Sequence, residues 1–213
     1  FVRQNPNLSG PALADRVEVQ PWDPSVKSLV QFPAVLAMMD EQLEWTQQLG
    51  DAFLAQEAAV MDTIQSLRAK ANSAGYLRSN EQQRVVVDDR YIVIENAQPD
   101  VIYVPYYDPL VVYGNWWWPS HRPFHWRPPA VYRPSWYRSG DVLAWGAGIA
   151  VIGAIYHYSR PIWRDRHISF YGPPRPGRTA PPSGIWRHDP RHRLGVSYRD
   201  NFTRQQFINR GPG

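Results

Sequence analysis

The sequence predicts an α+β protein: an N-terminal helical region, then a small β-sheet, then an extended C-terminal arm rich in Pro, Gly, Trp and Arg. Three observations lead to this fold class. Apolar residues recur at helical spacing up to about residue 75, continuous β-branched runs follow, and the composition changes abruptly at Gly114. Helices and strands that occupy separate segments are typical of α+β proteins.

Apolar spacing, capping residues and closing glycines predict four helices in the first part. They cover Pro11 to Val19, entered through Ser9 and Gly10; Pro24 to about Val30, capped by Asp23; Ala34 to Leu49, closed by Gly50; and Glu57 to Ala74, closed by Gly75. We expect their apolar faces to form core.

Strands are predicted where the apolar residues change from helical spacing to short continuous runs. They cover 84–87 and 90–94, joined by a tight turn at Asp88-Asp89, then 101–104, 111–113 and 168–171. Because the first two apolar runs are continuous, we expect both faces of that hairpin to be covered. Pro105 and Pro109 confine the chain after the third strand to an edge or a loop.

The arm carries prolines that exclude a long helix and favour extended backbone. These prolines are Pro119, Pro123, Pro128, Pro129 and Pro134. Within the arm, residues 144–156 are apolar and contain three glycines. This stretch is shorter than the ~20 residues of a membrane-spanning helix. We expect a buried helix or strand pair whose backbone packs closely on a neighbour. The segments predicted are thus 1–76 (helical), 77–114 (sheet), 115–184 (arm) and 185–213 (basic tail).

The balance of charge also changes at Gly114. Residues 1–113 carry 15 acidic and 8 basic side chains, whereas residues 114–213 carry 4 acidic and 15 basic ones, all of them Arg. Arg stacks on rings and binds carboxylates with two hydrogen bonds, which Lys does less well. The second half is therefore expected to make contacts, and the acidic half of the same or a neighbouring chain is one candidate partner.

Several classes of chemistry lack support in the sequence. With no cysteine there is no disulfide, thiolate metal site or cysteine nucleophile. The pairs His121/His125 and His188/His192 have ligand spacing, but Pro123 and Pro190 lie inside them and disfavour the required helix. Asp88, Asp89, Asp108 and Asp189 are better explained as turn residues than as catalytic acids. We expect no enzyme activity, no cofactor and no metal.

Four blocks of sequence resemble a bacterial family known as domain of unknown function 3300. They are PWDPSVKSLVQFPAVLAMMDEQLEWTQQLGDAFLAQ (21–56), SNEQQRVVV (79–87), VIYVPYYDPLVVYG (101–114) and WRHDPRHRLGVSYRD (186–200). The resemblance implies an exported protein of the cell envelope, in the periplasm or at the outer membrane surface, or an extracellular one. It implies no reaction. The start at Phe1 rather than Met predicts that the chain derives from a longer precursor.

The aromatic and basic residues of the arm suggest three modes of binding. Single-stranded nucleic acid would suit rings beside Arg, but the acidic first half and the envelope location disfavour it. Peptidoglycan or polysaccharide could pack its sugar rings on Trp116–Trp118. Self-association into a homo-oligomer, head-to-tail or filamentous, is the leading hypothesis. The alternative is that the arm wraps its own helical domain in a monomer.

The leading hypothesis assigns the arm and tail a set of interaction residues, with the tryptophan run as buried anchors within or between chains. They are Trp116, Trp117, Trp118, Trp126, Arg127, Arg133, Trp136, Arg138, Gly146, Gly148, Gly153, Trp186 and Arg187.

Overall fold

A computed structural model of the chain describes residues 1–133, 135, 137–138, 140–151, 159–171 and 183–208. They divide into two compact units. Unit 1 comprises the described parts of Phe1–Pro33, Met39–Met61 and Ile152–Gly213, and unit 2 comprises those of Ala34–Met38 and Asp62–Val151. A helical N-terminal region precedes small antiparallel sheets, so the predicted α+β class is confirmed.

The described residues form six α-helices and three short 3₁₀ turns. The helices are α1 (Gly10–Glu18), α2 (Pro24–Leu29), α3 (Pro33–Glu41), α4 (Leu43–Ser73), α5 (Pro109–Val112) and α6 (Asn201–Ile208); the 3₁₀ turns are Val2–Gln4, Ala130–Tyr132 and Pro190–Arg193. None of these helices is both long enough and apolar enough to cross a membrane.

The first two helices begin where their capping residues predict. Ser9 precedes α1 with extended backbone, and Asp23 accepts a hydrogen bond of 2.9 Å from the backbone N–H of Ser25 at the start of α2. Leu13 and Val17 on α1 pack with Val30 into the buried cluster of unit 1. Helix α1 thus supplies core, as its apolar spacing predicts, whereas Leu43 at the start of α4 is 53% exposed.

The prediction that a helix ends at Gly50 is wrong. Helix α4 passes through Gly50 and continues to Ser73, while the break comes earlier, between Glu41 and Leu43. A glycine costs a helix only about 1 kcal/mol, so good helix formers on either side outweigh it. The boundary predicted before Glu57 appears as a kink, with non-helical backbone at Gln56 (φ −151°, ψ 53°).

Strands occur in four small sheets among the described residues, and every pairing is antiparallel. The strands are β1 (Gln83–Asp88), β2 (Tyr91–Asn96), β3 (Val101–Ile102), β4 (Pro105–Tyr107), β5 (Leu143–Trp145), β6 (Ile149–Ala150), β7 (Ser159–Ile162), β8 (His167–Tyr171) and β9 (Ser183–Ile185). They pair as β1–β2, β3–β6, β4–β5 and β7–β8–β9.

The β1–β2 hairpin confirms two strands and a tight turn, with Asp89 in the left-handed region at φ 56°. The expectation that both faces are covered is wrong, because Val87 is 63% exposed and Ile94 is 38% exposed. Tyr91 and Ile92, at the start of β2, are buried. Gln65 of α4 holds this end of the strand, since its side chain both accepts from and donates to the backbone of Ile92 at 2.9 and 3.3 Å.

The strand predicted at 111–113 is also wrong, because this segment belongs to the short helix α5 and its C-terminal cap. The Asp108 carboxylate accepts a hydrogen bond of 2.9 Å from the backbone N–H of Leu110, and Pro109 occupies the first helical turn. An N-capping Asp followed by Pro is a helix start. This local signal outweighs the β-branched residues after it.

Candidate functional site

Unit 2 presents a surface that we call the tryptophan platform, formed by Trp116, Trp117, Trp118 and His121. The Trp116 and Trp117 ring centres are 4.4 Å apart, and the Trp118 ring lies 4.7 Å from that of His121. The Trp116 indole N–H donates to the backbone oxygen of His121 at 2.6 Å, which closes the turn beneath the rings. Contact between the rings and this hydrogen bond fix the platform without a helix or strand.

Exposure distinguishes the members of the tryptophan platform. Trp116 is half-buried, but Trp117 is 46% exposed and Trp118 is 54% exposed. The Lys70 ammonium lies 4.3 Å from the centre of the Trp117 ring, a cation–π contact. Within one chain, therefore, Trp117 and Trp118 are not the buried anchors that the sequence suggested. Burial between chains stays a prediction.

The remaining arm residues predicted to interact lie mostly at the surface. Arg127, Arg133 and Arg138 are exposed, whereas Trp126 is half-buried and meets Phe124 edge to face at 5.5 Å. Trp136 lies outside the described residues. Exposed guanidinium groups are available for contacts with an acidic surface.

The glycines of the apolar stretch lie close to neighbouring backbone and rings, as expected. A Cβ on Gly146 would lie 3.3 Å from the backbone oxygen of Val104, and one on Gly148 would lie 2.9 Å from Val101 Cγ1. The stretch forms β5 and β6, but these pair with β4 and β3 rather than with each other, and Gly148 is exposed. Residues 144–151 therefore form strands packed closely on a neighbour, one of the two expected alternatives, but they are not fully buried. Gly153 lies outside the described residues.

Unit 1 holds a second arrangement, in which the C-terminal tail lies against the N-terminal helices. The Trp186 indole N–H donates to both carboxylate oxygens of Asp23, at 3.3 and 3.4 Å, and Nδ1 of His192 lies 3.2 Å from one of them. Asp23 also caps α2. The Asp23 carboxylate therefore holds the start of α2, the Trp186 indole and the His192 imidazole together. Arg187, which follows Trp186 in the sequence, is exposed.

His188 lies in an aromatic cluster beside Trp186. Its Nε2 is 2.7 Å from the Tyr198 hydroxyl, and its ring meets that of Phe207 at 4.8 Å. Burial, and secondarily the positive charge of Arg193, lowers the pKa of His188 below its usual range. Burial likewise raises the pKa of Tyr198. Both groups are thus neutral at neutral pH, which suits a hydrogen bond within an apolar cluster.

Two arginines of the tail are held differently. Arg193 donates to the backbone oxygens of Val196 and Ser197, both at 2.9 Å, and stacks 4.2 Å above the Tyr198 ring. Arg199 reaches α4, but its contacts with Glu44 and Gln47 are 3.3 to 3.4 Å long. Charge-assisted hydrogen bonds are usually ~2.7–2.9 Å. Arg193 is therefore fixed, and Arg199 is loosely held.

These side chains border a cavity of about 320 Å³ that we call the tail groove. One wall is the 46–54 part of α4, including Phe53 and Leu54, and the other is the tail from Trp186 to Arg199. The rings of Phe53 and Trp186 lie 5.9 Å apart. The groove therefore combines an aromatic wall with charged groups at its rim.

Two of the four carboxylates considered as catalytic acids serve as caps, while Asp88 and Asp89 lie at the β1–β2 turn. Asp108 caps α5, and Asp189 accepts from the backbone N–H of Arg191 at 2.9 Å. The Arg191 guanidinium, which donates to the same carboxylate, lowers the pKa of Asp189 to about 2. Across the described residues, no three His, Asp or Glu side chains are grouped as a metal site would need. In the second histidine pair, His188 bonds Tyr198 and His192 bonds Asp23.

Sequence reasoning missed the tail groove, although it named Trp186 and Arg187. Asp23 was identified only as a helix cap and His188 only as half of a histidine pair with ligand spacing, and Arg193 and Arg199 were not singled out. The density of Arg, His and aromatic residues in 186–200 was a signal that this segment is built for contact. Its partners, Asp23 and Glu44, lie more than 150 positions earlier, and no local pattern connects them.

Comparison with known proteins agrees with the sequence blocks. The chain is 31% identical over 271 aligned residues to a protein of Escherichia coli (strain K12) named "Uncharacterized protein YacH", and the match covers 95% of this chain. It covers only 43% of the length of that relative. No solved structure matches the chain. Residues 1–175 match the family described as "Protein of unknown function (DUF3300)", and the chain therefore belongs to that family.

Proposed function

We propose that this chain is a non-catalytic structural protein of the bacterial cell envelope, or an extracellular one, that self-associates through its aromatic, Arg-rich arm. The observation that carries the proposal is the exposure of Trp117 (46%) and Trp118 (54%). A large aromatic side chain removes about 150–250 Å² from contact with water when it is buried. A partner that covers the tryptophan platform would therefore gain substantial hydrophobic free energy.

Charge supports a second copy as that partner. Residues 1–113 have a net charge of −7 and residues 114–213 a net charge of +11, counted with neutral His. Exposed arginines of the arm, such as Arg127 and Arg133, could meet the acidic helices of a neighbour. Contact between two unlike surfaces of identical chains is head-to-tail, and it closes a ring or extends a filament.

Light scattering of the purified chain tests the proposal. We expect a native mass above that of one chain, and a shift toward the monomer mass in Trp117→Ala and Trp118→Ala. Phe202→Ala is the matched control, because Phe202 is also aromatic and 66% exposed but lies on α6. A monomeric wild-type chain, or an oligomer that both tryptophan variants leave intact, would contradict self-association through the platform.

Glycan binding is the second candidate, and the same exposed indoles favour it. The C–H faces of sugars pack on aromatic rings, and Trp117 and Trp118 present such faces to solvent. Sedimentation of the chain with purified peptidoglycan distinguishes the two functions. Binding by a monomer that is lost in Trp117→Ala supports the glycan function, whereas an oligomer that does not sediment with peptidoglycan excludes it.

A further inference from the structure

The tail groove in unit 1 has the composition of a small-molecule site, and it is separate from the tryptophan platform. Its volume of about 320 Å³ is at the lower end of the ~300–1,000 Å³ found for ligand pockets. Phe53, Leu54 and Trp186 give it an apolar wall, while Gln47, Asp51 and Arg199 give it a polar rim. A few polar groups around an apolar surface are typical of such pockets.

The aromatic wall is held in place before any ligand arrives. Both oxygens of Asp23 accept from the Trp186 indole N–H, which fixes the edge of the ring, and Phe53 lies 5.9 Å from it. His188 contacts the same indole at 6.2 Å between ring centres. A ring that is already oriented loses little conformational entropy on binding, so it serves well as a stacking surface.

The rim offers both hydrogen-bond donors and acceptors. The long contacts of Arg199, 3.3 to 3.4 Å, leave its N–H groups able to turn toward a ligand oxygen at small cost. Within the described parts of the chain, no hydrogen bond or ion pair engages the Asp51 carboxylate. A ligand that both donates to Asp51 and accepts from Arg199 would match this rim, as a hydroxyl group does.

The balance of charge points to a neutral ligand. Asp51 and the nearby Glu44 offset Arg193 and Arg199, and His188 is kept neutral by burial. An anionic ligand would meet the two carboxylates, and a cationic one would meet the two guanidinium groups. A neutral molecule with a flat apolar face and several hydroxyls avoids both penalties.

We propose that the tail groove binds a neutral pyranose sugar, one ring of which stacks on Trp186 while its hydroxyls bond Asp51, Gln47 and Arg199. This site is distinct from any glycan contact at the tryptophan platform and does not require self-association. Its ligand is a single sugar or a disaccharide unit, because the groove has room for little more.

Titration of the ¹⁵N-labelled chain with cellobiose and with N,N′-diacetylchitobiose tests the proposal by NMR of the indole N–H signals. The Trp186 signal is identified by its loss in Trp186→Phe. We expect at least one disaccharide to shift the Trp186 signal saturably. In the Trp186 variants, which lack this indole, binding is followed through the backbone amide signals of residues 46–54 on the opposite wall. In Trp186→Ala the dissociation constant should rise at least tenfold, and in Trp186→Phe, which keeps an aromatic face, only a few-fold.

Gln47→Ala is a second variant, and we expect it to keep the fold because Gln47 is exposed on α4. We expect it to weaken binding several-fold, while Phe202→Ala, at an exposed position of α6 that does not border the groove, leaves the dissociation constant unchanged. Binding that is equal in the wild type, Trp186→Ala and Gln47→Ala would overturn the proposal, as would the absence of any saturable shift with both disaccharides. Light-scattering masses report on self-association separately, so failure of one proposal does not imply failure of the other.

Discussion

The imidazole of His188 makes the stability of unit 1 depend on pH. Burial lowers its pKa below 6.5, so the unfolded chain binds a proton at a pH where the folded chain does not. His188 therefore contributes its full stability above about pH 6.5, and this contribution is lost as the pH falls through the lowered folded-state value. We expect the free energy of unfolding to fall by at most about 1.4 kcal/mol per pH unit from this one proton.

Urea denaturation between pH 7 and pH 5 measures this effect. His188→Asn should flatten the pH dependence, because it removes the titrating group. Gln47→Ala is the control, because Gln47 is exposed on α4 and carries no titrating group, so its replacement should keep the wild-type slope. If His188→Asn and the wild type lose stability in parallel on acidification, burial of His188 is not the cause.

Residue roles were predictable from sequence where the partner is close in the chain. Asp23 and Asp108 each precede a proline and each accept a hydrogen bond from the backbone N–H two residues on. Only Asp23 was predicted to cap a helix, while Asp108 was predicted to start a turn. The same Asp23 also holds Trp186, which is 163 positions distant. Exposure of Trp117 and Trp118 was equally hidden, because three adjacent tryptophans look alike in a sequence and only packing separates them.

Helix α4 provides a test at the level of a secondary-structure element. Gly50 lies inside it with ordinary helical backbone, and a Cβ added there would meet nothing within 4 Å. Replacing a helix-interior Gly by Ala stabilises by roughly 0.5–1 kcal/mol. We therefore expect Gly50→Ala to raise the free energy of unfolding by about that amount, measured by urea denaturation.

Gly148→Ala is the contrasting variant. Its Cβ would lie 2.9 Å from Val101 Cγ1 and 3.0 Å from the Tyr103 ring, so these side chains must shift to admit it. We expect this variant to be destabilised. A loss of stability in Gly50→Ala would indicate that the chain leaves the helix at Gly50, as its sequence pattern suggested.

Element boundaries were predicted well where caps and turns are explicit and poorly elsewhere. The starts of α1 and α2 and the β1–β2 hairpin follow from local capping and turn chemistry. The pairings β3–β6 and β4–β5 join residues that lie 36 to 49 positions apart, so no periodicity reveals them. Val111 to Tyr113 show how β-branched composition misleads when an N-cap precedes it.

At the scale of the whole molecule, the division between an acidic and a basic half is clear in the sequence. In unit 1, part of the basic half contacts part of the acidic half. Arg199 lies 3.4 Å from Glu44 and His192 lies 3.2 Å from Asp23, so a section of the basic tail contacts the acidic helices of its own chain. These contacts are made by the tail, 185–213, and not by the arm, 115–184. The exposed arginines of the 114–138 segment remain available to meet another chain.

Salt should weaken that contact if opposite charges hold the chains together. The Debye length falls from about 30 Å at 0.01 M to about 3 Å at 1 M ionic strength, and exposed pairs are screened accordingly. We therefore expect the native mass from light scattering to decrease toward the monomer as sodium chloride rises over this range. Burial of Trp117 and Trp118 between chains does not depend on charge, so it would limit this decrease in the native mass.

Single-charge variants separate the electrostatic part from the hydrophobic part. Arg133→Gln removes an exposed positive charge from the arm and should lower the native mass at low salt, as added salt does. Arg16→Gln removes an exposed positive charge from the acidic half. Because this change does not weaken the attraction of the acidic half to a basic arm, the native mass should stay unchanged. Equal effects of the two substitutions, or a mass independent of salt, would mean that the charge asymmetry does not drive assembly and that the tryptophans act alone.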